Sequence, residues 1–587
     1  MTSSVAASRD AERIPRPWLS SYPPGIDWHR APPTAPLHSL IDEAAARFPN
    51  RPCLDFLGRI CTYAEVARMV DRTAKGFQQL GVGKGSKVGL CLPNCPYSLI
   101  CFYGVLKAGG TVVNFNPLNV EREIAAQIED SETDIMVTLD LRQLYPKVAA
   151  ALETTRLKRI VVCRMSDALP TVKGVLFPIF KRSEISAFPA DVVHVPFAVL
   201  TCNDGRPKPV TIDPASDLAV LQYTGGTTGT PKGAMLTHGN LYANMAQLRA
   251  WYPDVVEGEE RMLAVLPFFH VFGMTVAMNF AVSAGAELIL LPRFELKQVL
   301  ACITRRKPTL FPGVPTIYRA IATAPDIAQY DLSSVKACIS GGAPLPVEIK
   351  HAFEKITGCV LVEGYGLTEA SPVTHANPLG GGHKDGSIGL PLPGTLCEIR
   401  SLDDPSRPAA PGEKGELCVA GPQVMAGYWK RPDETARVLV DGWLHTGDVG
   451  TIDPEGYVFL VDRIKDVILC SGYNVYPRMI EDAIYQHPAV VAVTVIGIND
   501  DYRGQVPKAF VQLRDGQSLS EDDLKLFLRD RLSRIEMPHS IEFRPDLPKT
   551  TIGKLSKKEL VEEEREKRGP VTPLPLAGEG GAREAGG

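Results

Sequence analysis

Residues 223–233 read YTGGTTGTPKG. Three glycines (Gly225, Gly226, Gly229) and four threonines (Thr224, Thr227, Thr228, Thr230) crowd into this stretch, which closes with Pro231-Lys232-Gly233. Glycine lets successive backbone N–H groups turn toward one point as an anion nest, and threonine hydroxyls and a lysine ammonium add donors. The stretch therefore reads as a loop that holds a phosphate chain. It is not the loop of ordinary nucleoside triphosphatases, which requires G-x-x-x-x-G-K-[ST], because a proline precedes Lys232 and a glycine follows it.

Around this loop the chain alternates helical and strand-like patterns. HSLIDEAAARFP (38–49) has the spacing of an amphipathic helix, SKVGLCLPN (86–94) that of a buried strand, and PYSLICFYGVLKAGGTVVNFNP (96–117) reads as helix, glycine turn and strand. AELILLP (286–292), KACISGG (336–342) and GCVLVEGYG (358–366) are further short apolar runs. This alternation predicts an α/β fold with mainly parallel sheets, whose strand C-termini collect ligands. From about 386 the texture changes to short strands separated by turn residues, a small β-rich part. After 465 a compact unit with both helices and strands follows. Residues 1–35 read as an irregular, proline-rich strap. Residues 566–587 lack periodicity and read as a disordered tail.

At 587 residues two or more domains are expected. Lys+Arg 63 against Asp+Glu 67 leaves a net charge of −4, so no basic field argues for nucleic acid. The 13 cysteines are scattered without metal-ligand spacing, which suits a reducing cytoplasm. The N-terminus lacks an apolar signal core. The apolar run 272–291 carries Asn279, Ser283 and Glu287, which makes it a buried helix and strand rather than a membrane span. Residues 168–183, ALPTVKGVLFPIFKRS, mix Leu, Val, Phe and Ile with Lys173, Lys181 and Arg182. They read either as a strap over the core or as an interfacial segment that dips into a bilayer.

Four more motifs accompany the loop: EGYGLTEASP (363–372), HTGDVG (445–450), DRIKDVILCSGYNVYP (462–477) and LPKTTIGKL (547–555). In this order the five resemble the acyl-adenylate-forming superfamily, over roughly residues 35–565. NFNPLNVERE, LPFFHVFGMT and GPQVMAGYWKRPDET look more closely like bacterial long-chain fatty-acid–CoA ligases. The resemblance implies a large N-terminal adenylate-forming domain (36–464) of two αβ sheet subdomains and a small distorted β-barrel. A small mobile α+β C-terminal domain (465–565) would follow. It implies ATP-dependent ligation of a fatty acid to coenzyme A through an acyl-AMP intermediate, with Mg²⁺, and with ATP and CoA as co-substrates.

The resemblance also assigns roles. Thr224, Gly225, Thr227, Thr228 and Lys232 match the phosphate loop. Thr368 would stand near the phosphates and Glu369 on Mg²⁺. Tyr365 would stack on adenine beside Ser340, Gly341, Gly342 and Ala343. Asp448 would accept from the ribose hydroxyls, with help from Arg463. Lys554 would bridge the attacking carboxylate and the α-phosphate, a task suited to a compact ammonium. Lys465 matches the hinge, and Ser471, Gly472 and Tyr473 the pantetheine channel. His270 would flank the carboxylate, and Phe272, Gly273, Met274 and Val314 would line the acyl pocket. The chain departs from close relatives at Ile535-Glu536-Met537-Pro538-His539, where two cations are lost, and at Met479.

Three rivals stay open. They are a medium-chain or dicarboxylic acid–CoA ligase, a fatty acyl-AMP ligase serving a carrier protein, and a non-catalytic fatty-acid-binding protein. Lys554, Glu369 and Asp448 argue against the last. The expected location is cytoplasmic, with peripheral association at the inner face of the membrane as a further expectation. Oligomeric state is not legible, a homodimer being the commonest form.

Overall fold

The structure is a computed structural model that describes residues 15–224, 231–471, 473–500, 502–550 and 555–568. Contacts divide the chain into two compact units, one running to Ile464 and one beginning at Lys465.

The larger unit is built on two α/β sheets. The first has seven strands, in the order His194–Pro196, Arg159–Cys163, Ile135–Leu139, Lys87–Cys91, Thr111–Asn114, Leu218–Thr224 and Lys232–Thr237. All neighbours are parallel except the last pair, an antiparallel hairpin. Every residue of Lys87–Cys91 and Thr111–Asn114 is buried, as expected of parallel strands covered on both faces. The helix Pro96–Lys107 over them is buried almost throughout. Its neighbour Tyr63–Gln79 begins with a reciprocal cap: Thr62 Oγ1 accepts from the Glu65 amide and Glu65 accepts from the Thr62 amide. Such a cap contributes about 1 kcal/mol.

The second sheet joins two four-stranded ladders. Arg261–Ala264, Glu287–Leu290, Pro52–Phe56 and Arg59–Thr62 make one, and Ala337–Ser340, Val360–Gly366, Val373–Ala376 and Leu390–Pro391 make the other. Leu310 bridges Met262 on one side and Ala337 on the other, so the ladders are continuous. The β-rich part follows as a five-stranded antiparallel sheet of Leu396–Ser401, Gly415–Ala420, Leu439–Val440, Trp443–Ile452 and Val458–Arg463.

The smaller unit is α+β. Its sheet runs Tyr473–Val475, Ile468–Cys470, Gly504–Leu513 and Val490–Asp500, with Ser540–Phe543 beside Gly504–Leu513. Helices Pro477–Tyr485, Glu521–Leu528 and Lys558–Arg568 complete it. The last helix carries regular structure past residue 565, so a disordered tail beginning at 566 is too early. Its run Lys-Glu-Leu-Val-Glu-Glu-Glu continues the helical pattern into Glu566 and Lys567. Residues 569–587 lie outside the described residues.

Two segments show detail that their sequence readings did not contain. The run 272–291 is a helix and a strand, but the helix opens as a π-turn, Gly273–Asn279, before the α-turn Phe280–Ser283. Residues Thr171–Phe180 form a regular helix, with Pro178 near its C-terminal end. No helix among the described residues is long and apolar enough to cross a membrane.

Candidate functional site

The phosphate-loop residues Gly225, Thr227 and Thr228 lie outside the described residues, as do Gly472 and Lys554. The two ends of the loop are described. Thr224 and Lys232 stand directly opposite each other across the hairpin Leu218–Thr224/Lys232–Thr237. The hairpin is anchored on both sides. Tyr223 donates to Asp130 Oδ2 at 2.6 Å, and Arg431 pairs with the other oxygen of Asp130 at 2.6 Å. Residues 426–429 run alongside the second strand, with Met235 N donating to Gly427 O at 2.9 Å and Trp429 N to Gly233 O at 2.8 Å.

That added segment brings Tyr428 into the site. Its hydroxyl donates to Glu369 Oε1 at 2.6 Å, and its ring faces the Lys232 ammonium at 5.3 Å. Lys232 is also ion-paired with Glu434. Glu369, on a short turn after Val360–Gly366, is thus coupled to Lys232 through one phenol. Burial, then the Glu369 charge, pushes the Tyr428 phenol well above its ordinary range, so it remains a donor. Tyr428, Glu434 and Asp130 were missed as individual residues. The G-Y-W-K-R-P-D-E-T run was the available signal, but no periodicity distinguishes its Tyr from a core aromatic.

In the second sheet, Ala337–Ser340 and Val360–Gly366 run parallel, with Ser340 beside Glu363. Gly341 donates to Gly313 O at 3.2 Å. Gly342 has φ +79°, a left-handed conformation that favours glycine. Ala343 is half-buried. Tyr365 donates to Asp448 Oδ2 at 2.5 Å, while Arg463 Nε pairs with Asp448 Oδ1 at 3.1 Å. Asp448 and Arg463 are cross-strand partners, so the sheet register itself creates the ion pair. The turn before Asp448 is fixed by Thr446 Oγ1 donating to Leu417 O at 2.7 Å and Gly447 N donating to Glu416 Oε1 at 2.9 Å. Burial, then the Asp448 charge, holds the Tyr365 phenol far above its ordinary value.

His270 stands where the apolar helix begins. The Phe272 amide donates to its Nδ1 at 3.2 Å, which places the ring proton on Nε2. Gln222, on the strand leading into the phosphate loop, donates to Phe269 O at 2.9 Å. Asn94 accepts from Phe268 N and donates to Leu266 O at 2.8 Å each. A Cβ on Gly273 would lie 2.3 Å from Pro267 O, so only glycine lets the turn close this tightly. Thr275, inside the π-turn, donates to Ser371 O at 2.7 Å. Isolated π-turns are frequent at functional positions. Phe272, Met274 and Val314 are buried, and the Phe272 ring is the nearest group to a Cβ built on Gly341, at 3.0 Å.

The structure therefore gathers Thr224, Lys232, Thr368, Glu369, Gly341, Gly342, Ala343, Tyr365, Asp448, Arg463 and His270 in the larger unit. Lys465, Ser471 and Tyr473 belong to the smaller one. There, Lys465 sits in the turn Ile464–Asp466. Ser471 has φ +52° and donates to Arg503 O at 2.8 Å, and Tyr473 is exposed.

An AMP-binding enzyme family model matches residues 41–429, and the model of the AMP-binding enzyme C-terminal domain matches residues 479–554. A long-chain-fatty-acid–CoA ligase of Bacillus subtilis (strain 168) is 45% identical over 554 residues, 94% of this chain and 98% of that protein. A protein of the same description from Escherichia coli O157:H7 is 37% identical over 94% of this chain and 98% of its own length. Among solved structures, an anthranilate CoA ligase in complex with anthranoyl-AMP superposes with a TM-score of 0.80 at 25% identity, covering 91% of this chain and 98% of that one. With the family models spanning both compact units, the chain belongs to the AMP-binding enzymes of the acyl-adenylate-forming superfamily.

Proposed function

We propose that this protein ligates a long-chain fatty acid to coenzyme A in two steps. The acid's carboxylate attacks the α-phosphorus of ATP, giving acyl-AMP and pyrophosphate. The CoA thiol then attacks the acyl carbon and expels AMP. The observation that carries this reading is the pairing of a Gly/Thr loop end at Lys232 with the Tyr428–Glu369 contact, together with the Tyr365–Asp448–Arg463 cluster, whose Tyr365 stands four residues before Glu369 along the chain. One side suits a polyphosphate and the other a nucleoside diol, which a carboxylate with two acceptor oxygens can bind.

The first step brings one anion onto another, so it depends on positive charge and alignment more than on an acid or base. Thr224, Lys232 and the loop between them would hold the β- and γ-phosphates. Asp448 and Arg463 would fix the ribose, and Tyr365 with Gly341 to Ala343 would hold the base. Lys554 would contact the carboxylate and the α-phosphate. Glu369 suits Mg²⁺: Tyr428 takes only its Oε1, and this ion is usually held by one or two carboxylates together with water and substrate phosphates. Bound there, the ion would neutralise phosphate charge. His270 would close the carboxylate end of the acyl pocket formed by Phe272, Gly273, Met274 and Val314. These four residues carry no charge to pair an amino or second carboxyl function, which favours a plain fatty acid. Lys465 would serve as the hinge between the half-reactions, with Ser471, Gly472 and Tyr473 near the pantetheine arm.

We further read the protein as peripheral to the membrane from which such acids are drawn. The test of the activity is formation of AMP and acyl-CoA from ATP, Mg²⁺ and a panel running from hexanoic to octadecanoic acid, with and without CoA. Thioester yield peaking at long chains and lost in Lys554→Ala is expected. Pyrophosphate release without thioester would replace the reading with a ligase serving a carrier protein. No nucleotide turnover on any acid would overturn it.

A further inference from the structure

We propose that helix Thr171–Phe180 is the surface by which the protein lies on an anionic lipid bilayer. Val172, Val175, Leu176, Ile179 and Phe180 occupy positions i, i+3, i+4, i+7 and i+8, and at 100° per residue they span an arc of about 140°. This is the pattern of a helix face that normally packs on a core. Here it faces outward, with these five side chains 41% to 75% exposed and no residue of the helix fully buried.

The other face explains the orientation. A Cβ on Gly174 would sit 2.6 Å from Ser166 O, so glycine lets the helix approach its support closely. Phe177 packs against the main core, and Lys173 Nζ donates to Leu57 O at 3.0 Å. The helix is therefore docked by Gly174, Phe177 and Lys173, which turns the apolar stripe toward solvent.

The charges around the stripe name the occupant. Arg164, Lys173, Lys181 and Arg182 stand on this segment against two carboxylates, Asp167 and Glu184, of which Glu184 pairs with Lys181 at 2.6 Å. Exposed Arg59 adjoins it and donates to Asp167 O. The neighbourhood is thus locally basic on a chain of net charge −4. An apolar face flanked by lysine and arginine lies in the interface of a bilayer, its cations reaching the headgroups. A second copy of the chain is a poorer fit: five such side chains offer on the order of 500 Å², short of the roughly 800 Å² per partner of a stable dimer. The proposal rests on the peripheral-membrane reading and gives it a place in the fold.

The test is co-sedimentation of the intact protein, and of Val175→Asp/Ile179→Asp, with phosphatidylcholine vesicles containing about one third phosphatidylglycerol. Both substitutions lie on the outward stripe, so melting temperature and turnover of a short, water-soluble acid should be retained. Loss of two apolar anchors should weaken partitioning at least about tenfold. Arg182→Glu should weaken binding to these vesicles but not the residual binding to phosphatidylcholine alone. Equal sedimentation of intact protein and double variant would overturn the helix as the docking surface while leaving membrane association standing. No sedimentation of either would overturn both. Concentration-dependent dimerisation abolished by the double variant, without vesicle binding, would assign the stripe to a second copy instead.

Discussion

On the proposed reading, Asp448 serves the nucleoside side with one carboxylate. Its two oxygens are oriented by different elements, Tyr365 from the second α/β sheet and Arg463 from the five-stranded antiparallel sheet. A ribose diol binding here would meet a carboxylate that cannot rotate freely. Asp448→Asn keeps the shape but replaces one acceptor with an amide donor aimed at a hydroxyl or a guanidinium. Hydrogen bonds to a charged group are worth about 1.5–3 kcal/mol, so KM for ATP should rise about tenfold or more, with a smaller effect on kcat. Tyr365→Phe removes only the orienting hydroxyl and should raise KM several-fold less. Initial-rate kinetics at saturating acid and CoA measure both, and an unchanged KM in Asp448→Asn would remove this residue from nucleotide binding.

Between residues and the whole stands the strip 426–431, which ties the hairpin Leu218–Thr224/Lys232–Thr237 to the C-terminal end of helix Glu121–Ser131. Beyond Tyr428 it carries Lys430, paired with Glu132 at 2.7 Å, and Arg431, paired with Asp130 at 2.6 Å. Glu132 also meets Lys87 at 3.1 Å. Hydrogen bonds from Lys430 and then Lys87 lower the Glu132 carboxyl to about 2. A carboxylate lowered in the folded state stabilises the fold above its unfolded value of about 4.3, and that contribution is lost as pH falls toward 2. Because Glu132 is 32% exposed, screening reduces its worth to about 1 kcal/mol. Glu132→Gln should therefore lower the melting temperature at pH 7 and leave it nearly unchanged near pH 2, where wild type has lost the same contribution. An equal loss at both pH values would mean packing, not charge, is what the substitution removes.

This strip also marks where sequence reading ends. The strands Lys87–Cys91, Glu287–Leu290 and Ala337–Ser340 were legible because short continuous apolar runs follow from burial on both faces. Lys232, Glu369 and Asp448 were legible because each lies in a short motif of unusual composition. Tyr428 was not, since its importance comes from an isolated bridge, Ala234 to Tyr428, between segments about 190 residues apart. The π-turn at Gly273 was equally hidden. It depends on a backbone approach to Pro267 that no spacing announces. The helix Thr171–Phe180 escaped notice as a helix because Gly174 and Pro178 within it read as helix breakers, and burial does not supply the apolar pattern's usual reason.

At the scale of the molecule, the two compact units have separate cores. The large one runs from Trp18 through Val458, and the small one is centred on Ile480, Ile484, Val495, Val511 and Leu528 with no shared residue. Unit-wise cores predict unit-wise unfolding. Ile484, on Pro477–Tyr485, is fully buried in the small core. Ile484→Ala removes three carbons there and should cost about 2–5 kcal/mol. In a unit of this size that lowers its transition by about 10 °C or more. Differential scanning calorimetry should show two transitions, with the substitution moving only the smaller. ATP with Mg²⁺ should raise only the larger, because Lys232, Glu369, Tyr365 and Asp448 all belong to it and ligand binding stabilises the unit that holds the site. If one transition responds to both the substitution and the nucleotide, the units fold as a single cooperative body. The proposed division of nucleotide-side and pantetheine-side residues between the two units would then have no thermodynamic counterpart.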